Sequence, residues 1–275
     1  MLSFSLCDII KQTFPLEMNM KNVKAIVVDL DKTLLYTNKT ISAYTVEVLR
    51  QCKKYNIKIM IATARPLRNT IQYYEAIPFD AMTVSNGARI IYDNQKTEYG
   101  IPHQSANKLL NTLGRYSNLR ITLETGDHAY SNKPIQDYET TLSNDLKNIA
   151  QKEGVLKILV HIDDDKTLSI VEKFLTKDLY YTIANGHLIQ IMNKSATKWN
   201  GVKVMLDAAN CTPEETIYFG DDYDDIEAIK MCGTGVAVFN GVTEVKNTAD
   251  YITESNDADG VAKFIDEEIL KHIKS

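Results

Sequence analysis

Cysteine is scarce and dispersed. The four residues Cys7, Cys52, Cys211 and Cys232 form no CxxC pair, which excludes a zinc ribbon and gives no disulfide framework. Such usage fits a reducing cytoplasm. The five histidines are equally scattered, and no HExxH stands among them. Positive charge is not in excess: the formal net charge is −5, so no nucleic-acid partner is expected. No apolar run approaches the length of a membrane span, and no membrane partner is expected. Residues 1–20 lack a basic start, and Asp8 interrupts their apolar stretch, so they do not read as a secretory signal. They read as an N-terminal extension, a short helix or a frayed segment, with Met18 or Met20 equally able to serve as the start. Internal repeats, low-complexity tracts and long linkers are missing too. What remains is an ordinary globular composition, 44% hydrophobic and 24% charged over 275 residues, enough for one large domain or two moderate ones.

From Val23 onward, short apolar runs alternate with segments of helical period. VKAIVVDL (23–30), IKIMIAT (57–63) and AMTVSNG (81–87) read as buried strands. Between the first two, residues 42–55 read as a helix with Ser42 as N-cap, and Pro66 marks the first turn of another. This rhythm predicts an α/β fold with a doubly wound, Rossmann-like parallel sheet. Residues 89–193 change character. Six strand-like stretches there are separated by helical segments near 105–115, 137–152 and 166–177, and the mixture predicts an α+β unit. The first rhythm then returns, with a helix over 197–210, strands at TIYFG (216–220) and GVAVF (235–239), and a last helix over 259–273. The expected organisation is a core of residues 21–88 and 194–275, interrupted by an inserted domain of residues 89–193.

The strand ends carry the chemistry. Strand one delivers Asp29 and Asp31, strand two Thr63 with Arg65 beyond it, and TIYFG runs into Gly220-Asp221-Asp222-Tyr223-Asp224-Asp225. A single Asp at a strand end is often no more than turn polarity. Acids clustered at two strand ends of one sheet are harder to explain that way, because ligands bind beyond the carboxyl ends of such sheets. The carboxylates would repel one another without a cation. Their all-oxygen donor set favours Mg2+, whose usual shell is a few carboxylates plus a substrate phosphate. A small phosphorylated metabolite is therefore the expected partner, with Lys198 supplying positive charge. No obligatory protein partner is inferred.

Asp29-Leu-Asp31-Lys-Thr33 resembles the DxDxT motif of the haloacid dehalogenase superfamily of hydrolases. Ile61-Ala-Thr63-Ala-Arg65 is similar to its second motif, Lys198 to its third, and Gly220 to Asp225 to its fourth. Ser85-Asn86-Gly87-Ala88 and Asp259-Gly260-Val261-Ala262 resemble signatures of its Cof-type branch, and the long insertion resembles that branch's α+β cap. The resemblance implies that Asp29 attacks phosphorus, forming an aspartyl-phosphate, and that Asp31 acts as general acid and base. Crowding by the other acids is expected to raise the pKa of Asp31. Thr63, the amide of Ala64 and Lys198 would bind phosphate. Asp29, the backbone carbonyl of Asp31, Asp221 and Asp225 would hold the metal, Asp225 directly or through water. Asn86, Arg65 and Asp224 are further candidates for substrate or metal contact.

Three positions depart from the family pattern. Asp224 stands where Asn is usual, and either the metal or Lys198 could take it. Ala64 and Lys32 each stand in place of Gly. For Arg65, a structural salt bridge is as good a reading as a substrate contact. Trp199 reads as packing, Asp163 to Asp165 as helix capping, and Gly126-Asp127-His128 as an ordinary turn. The expected activity is hydrolysis of small phosphate esters, sugar phosphates foremost. The alternatives are a phosphoryl-transferring mutase, a non-catalytic binder of a phosphorylated ligand, and a signalling receiver, which is about half this length and lacks the insertion.

Overall fold

The computed structural model describes residues 22–274. The N-terminal extension and Cys7 lie outside them. Two sheets organise the chain. The first contains β1 (Ala25–Val28), β2 (Lys58–Ala62), β3 (Ala81–Val84), β4 (Arg89–Tyr92), β5 (Gln95–Glu98), and, after the second sheet, β12 (Thr216–Gly220), β13 (Thr234–Val238) and β14 (Tyr251–Thr253). Their spatial order is β14-β13-β12-β1-β2-β3-β4-β5. The strands from β14 to β3 run parallel, whereas β4 and β5 add an antiparallel hairpin.

Successive side chains of the central strands enter opposite layers, as the two-residue period requires. Ile26, Val28, Ile59, Ile61, Ile217 and Phe219 pack on one face beside the helix Ala43–Lys54 and the C-terminal helix. Ala25, Val27, Met60, Ala62 and Tyr218 pack on the other, against Trp199, Val202, Met205 and Leu206 of the helix Lys198–Ala208. A sheet covered on both faces explains why its strands read as unbroken apolar runs. Trp199 is core packing, as expected.

The second sheet has the order β10-β11-β9-β6-β7-β8. Its strands are β6 (Ile121–Glu124), β7 (Ala129–Ser131), β8 (Thr141–Leu142), β9 (Lys157–His161), β10 (Leu179–Ala184) and β11 (Leu188–Asn193). Ile121, Leu123, Ile158, Val160, Ile189 and Ile191 bury one face with Leu109, Leu113, Ala150 and Val171, from the helices His103–Leu113, Leu146–Glu153 and Thr167–Phe174. The alternate residues Thr122, Glu124, Lys157 and Gln190 occupy the other face. Two of them contact the first unit directly, as described below.

Three expectations need correction. Residues 89–98 extend the core sheet and do not belong to the insertion. Their hairpin, turned at Asp93-Asn94 with both φ angles positive, carries an alternation that either sheet would accept. Residues 137–145 are not helical. Asp145 caps the helix only from Leu146 onward, its carboxylate accepting from the Asn148 amide. Beyond Pro66, two 3-10 turns, Leu67–Asn69 and Ile71–Tyr73, replace the expected α-helix.

Candidate active site

The chain leaves β1 for β2 on one side and returns through β12 on the other. A crevice therefore opens at the carboxyl ends of β1 and β12. Asp29 follows β1, and its amide donates to the Phe219 carbonyl of β12. Asp221 follows Gly220 at the end of β12, where a Cβ on Gly220 would lie 2.5 Å from Asp225. The missing side chain thus lets Asp225 fold back under the strand end. Asp29, Asp221 and Asp225 each bring a carboxylate oxygen within 4.8 Å of the others'.

Lys198 enters this cluster from the first turn of its helix, which Thr197 caps by accepting from the Asn200 amide (3.1 Å). Its Nζ lies 2.7 Å from Asp225 Oδ1, 2.9 Å from Asp29 Oδ1 and 3.1 Å from Asp224 Oδ1. Burial opposes the Lys198 ammonium, but the surrounding carboxylates outweigh it and hold the pKa well above the ordinary value. Asp29 is only 4% exposed. Burial raises its pKa well above the carboxylate range; Lys198 opposes that, and Asp225, Asp221 and Asp224 add to it. Burial and Asp225 likewise push Asp221 up to about 7, against Lys198 and the Thr33 hydroxyl, which donates to Asp221 (3.0 Å). Asp224 is also raised, by burial first, with Lys198 opposing.

Four carboxylates thus face one ammonium, and an added divalent cation would relieve their mutual repulsion. Asp29 and Asp221 suit an oxygen-ligated metal. Asp225 is fully buried and already well served. Its Oδ1 accepts from Lys198 and from the Tyr218 hydroxyl (2.6 Å), and its Oδ2 from the amides of Asp221 and Asp222. That saturation suits a supporting role better than direct ligation.

Asp31 departs from expectation. Its side chain turns away from the acidic cluster toward Arg65, whose Nε and Nη2 donate to it at 2.6 and 2.8 Å, and toward Lys39. Burial alone would raise its pKa, but these two cations bring it down to about 2. The expected upward shift is therefore reversed. Arg65 makes the salt bridge that was one of its two readings. Lys32, which follows Asp31, has φ +59°, the left-handed conformation that Gly takes without strain.

The second and third strands bring their loops to the same crevice. Thr63 is buried, and its carbonyl accepts from the Asn86 amide (3.1 Å), while the Arg65 carbonyl accepts from Ser85 N (2.8 Å). Ser85, Asn86 and Gly87 all have positive φ, at 52°, 57° and 92°. A Cβ on Gly87 would stand 2.0 Å from the Thr197 carbonyl oxygen. Only glycine lets this turn lie against the cap of the Lys198 helix. Asn86 Nδ2 donates to Asp224 Oδ2 (2.6 Å), so Asp224 is held by both Asn86 and Lys198.

Lys157, Glu124, Arg68 and Lys39 escaped the sequence reading. Lys157 Nζ reaches from β9 to the Ala64 carbonyl (3.0 Å), and Arg68 Nη2 reaches Glu124 of β6 (2.9 Å). The one signal for Lys157 was a lysine inside the otherwise apolar stretch VLKILV. Asp163 pairs with Arg120, contrary to the capping reading, whereas Asp164 accepts from the amides of Lys166 and Thr167 at the start of the helix Thr167–Phe174. Gly126 and Asp127 hold Arg89, and Thr125 N donates to the His128 carbonyl in an ordinary turn.

Comparison with known proteins agrees with this architecture. The 5-amino-6-(5-phospho-D-ribitylamino)uracil phosphatase YitU of Bacillus subtilis is 27% identical over 263 residues, covering 88% of this chain and 96% of its own. A haloacid dehalogenase-like hydrolase from Bacteroides thetaiotaomicron superposes with a TM-score of 0.80 at 26% identity, covering 90% of this chain and 99% of that one. A subclass IIB sugar phosphatase shares the fold, with a TM-score of 0.76 at 21% identity over 92% and 99% of the two chains. Residues 26–265 match the sequence profile of the haloacid dehalogenase-like hydrolases. With the strand-end carboxylates, the lysine and the inserted cap all in place, this chain belongs to that family.

Proposed function

We propose that the protein is a magnesium-dependent phosphatase of small phosphorylated metabolites. The observation that carries this reading is the buried contact between Asp29 and Lys198 inside an acidic cluster that lacks enough positive charge. Asp29 is the nucleophile, and the aspartyl-phosphate forms on its carboxylate. Lys198, the Thr63 hydroxyl and the Ala64 amide hold the phosphoryl oxygens. Asp221, Asp29 and the Asp31 carbonyl would hold magnesium, with Asp225 behind them. When bound, the metal supplies positive charge against the phosphate and keeps the carboxylates ionised.

Asp31 protonates the leaving oxygen and then activates water. In its pairing with Arg65 and Lys39 it is ionised, the state a base needs. Substrate entry must loosen that pairing before Asp31 can carry a proton. Closure of the cap over the crevice would exclude bulk water during the reaction. Sugar phosphates are the substrate class we favour. YitU extends the test to a ribityl phosphate carrying a pyrimidine.

The assay is phosphate release from sugar phosphates, pyridoxal phosphate, flavin mononucleotide, 5-amino-6-(5-phospho-D-ribitylamino)uracil and an aryl phosphate, each with magnesium and with chelator. Release that needs magnesium and vanishes in Asp29→Asn is the expected result. Full activity in Asp29→Asn would refute the nucleophile.

A further inference from the structure

Lys157 takes no part in the chemistry above, yet it is among the most buried charges in the molecule, 2% exposed. Its Nζ donates to three neutral oxygens: Gln190 Oε1 (2.8 Å), the Ala64 carbonyl (3.0 Å) and Asn86 Oδ1. Glu124, the acid on the neighbouring cap strand, is paired with Arg68. Burying an ammonium among neutral acceptors is expensive, and an apolar side chain would pack there at lower cost. Two of its three acceptors belong to the core loops that build the crevice, so the charge serves the junction between cap and core.

Asn86 shows what the junction transmits. Its Oδ1 faces the Lys157 ammonium, and its Nδ2 faces Asp224 Oδ2. An ammonium only donates and a carboxylate only accepts, so the amide between them has one allowed orientation. Asp224 in turn lies 3.1 Å from Lys198, and Lys198 lies 2.9 Å from Asp29. The charges alternate along this line from the cap strand to the residue that attacks.

We propose that Lys157 is a positioning residue for Lys198 and Asp29, acting through the Asn86 amide and Asp224 when the cap sits on the core. The proposal rests on the phosphatase reading of the site. With Lys157 in place, the amide directs its N–H bonds at Asp224 and shares that carboxylate with Lys198. Without Lys157 the amide is free to turn. Asp224 then draws Lys198 toward itself and away from Asp29 and the phosphoryl oxygens. Asp224 is the element that makes this arrangement necessary, because an uncharged side chain there would not compete for Lys198.

The test is a double-mutant cycle on the full chain with saturating magnesium, using para-nitrophenyl phosphate. Lys157→Met should lower kcat about tenfold and change KM by less than about threefold. In an Asp224→Asn background the same substitution should change kcat by less than about twofold, since neighbours acting through one path are not additive. Equal losses in both backgrounds, or an unchanged kcat, would overturn the proposal. A loss confined to KM would do so too, by making Lys157 a substrate contact. Circular dichroism and melting check the fold, and Lys157→Gln serves in the same cycle if the methionine variant does not fold. Asp29→Asn separates the two failures. Full activity there removes Asp29 as the nucleophile that the proposal positions, whereas silence there with equal losses in the cycle removes only the role of Lys157. A wild-type protein that releases no phosphate removes both.

Discussion

Arg65 and Lys39 both reach Asp31, and this pairing decides how the residue behaves before substrate arrives. The folded pKa of about 2 lies below the ordinary carboxylate value. The pairing therefore adds stability above pH ~4, and that stability is lost as the pH falls through about 2. Asp31 is one-third exposed, so solvent screens the pair and its worth is about 0.5–1 kcal/mol. Arg65→Met should lower Tm at pH 7 by ~1–3 °C, with the gap to wild type narrowing as the pH is lowered from 5 to 3. Calorimetry at several pH values checks this, and a gap that widens toward pH 3 contradicts it. The expectation of a raised pKa failed for a physical reason. The chain places Asp31 two residues from Asp29, but the side chain turns the other way, toward cations that sit 34 and 8 positions away in sequence.

At the scale of elements, the turn Ser85–Gly87 fixes the site as much as any strand does. Its three positive φ angles are costly for Ser and Asn, and its contact with Thr197 leaves no room for a Cβ at position 87. Gly87→Ala should cost about 2 kcal/mol or more in urea unfolding and should lower kcat, because relief of the clash displaces the helix cap that carries Lys198. A variant with wild-type stability and turnover would show that the turn can yield without cost. The strand-end acids, the lysine and this turn were legible because each lies within a few residues of an apolar run that predicts its strand or helix. The hairpin of residues 89–98 was not, since nothing local says which of two sheets it joins. Lys157 was not legible either. Its burial depends on core loops about 70 and 90 positions away, and strand period alone cannot show that a polar face meets another domain.

For the whole molecule, the cap meets the core through polar contacts, Arg68 to Glu124 and Lys157 to Ala64 and Asn86, and through a small apolar cluster of Ala88, Leu156, Met192 and Ala196, whereas each unit has its own larger apolar core. Such a junction suits parts that separate and rejoin to admit substrate. Among the described residues, no helix is long and apolar enough to cross a membrane. The acidic cluster links the fold to pH and metal. Asp221, at about 7 in the folded protein, lies above its unfolded value, and Asp29 is raised as well. The contribution of Asp221 to stability is full below pH ~4 and is lost as the pH rises through 7, and Asp29 acts in the same direction. Metal-free protein should therefore lose stability through these groups between pH 5.5 and 8. Saturating magnesium should raise Tm more at pH 8, where the carboxylates are ionised, than at pH 5.5. A larger magnesium effect at pH 5.5, or none at either pH, would contradict the placement of the metal.

The most direct measurement is acid quenching of the wild-type protein during turnover with magnesium and a hydrolysable phosphate ester, followed by mass spectrometry of its peptides. One phosphoryl group on the peptide holding Asp29, absent with chelator and absent in Asp29→Asn, is the result predicted here. Phosphoryl on another residue, or turnover that continues in Asp29→Asn, would contradict the account.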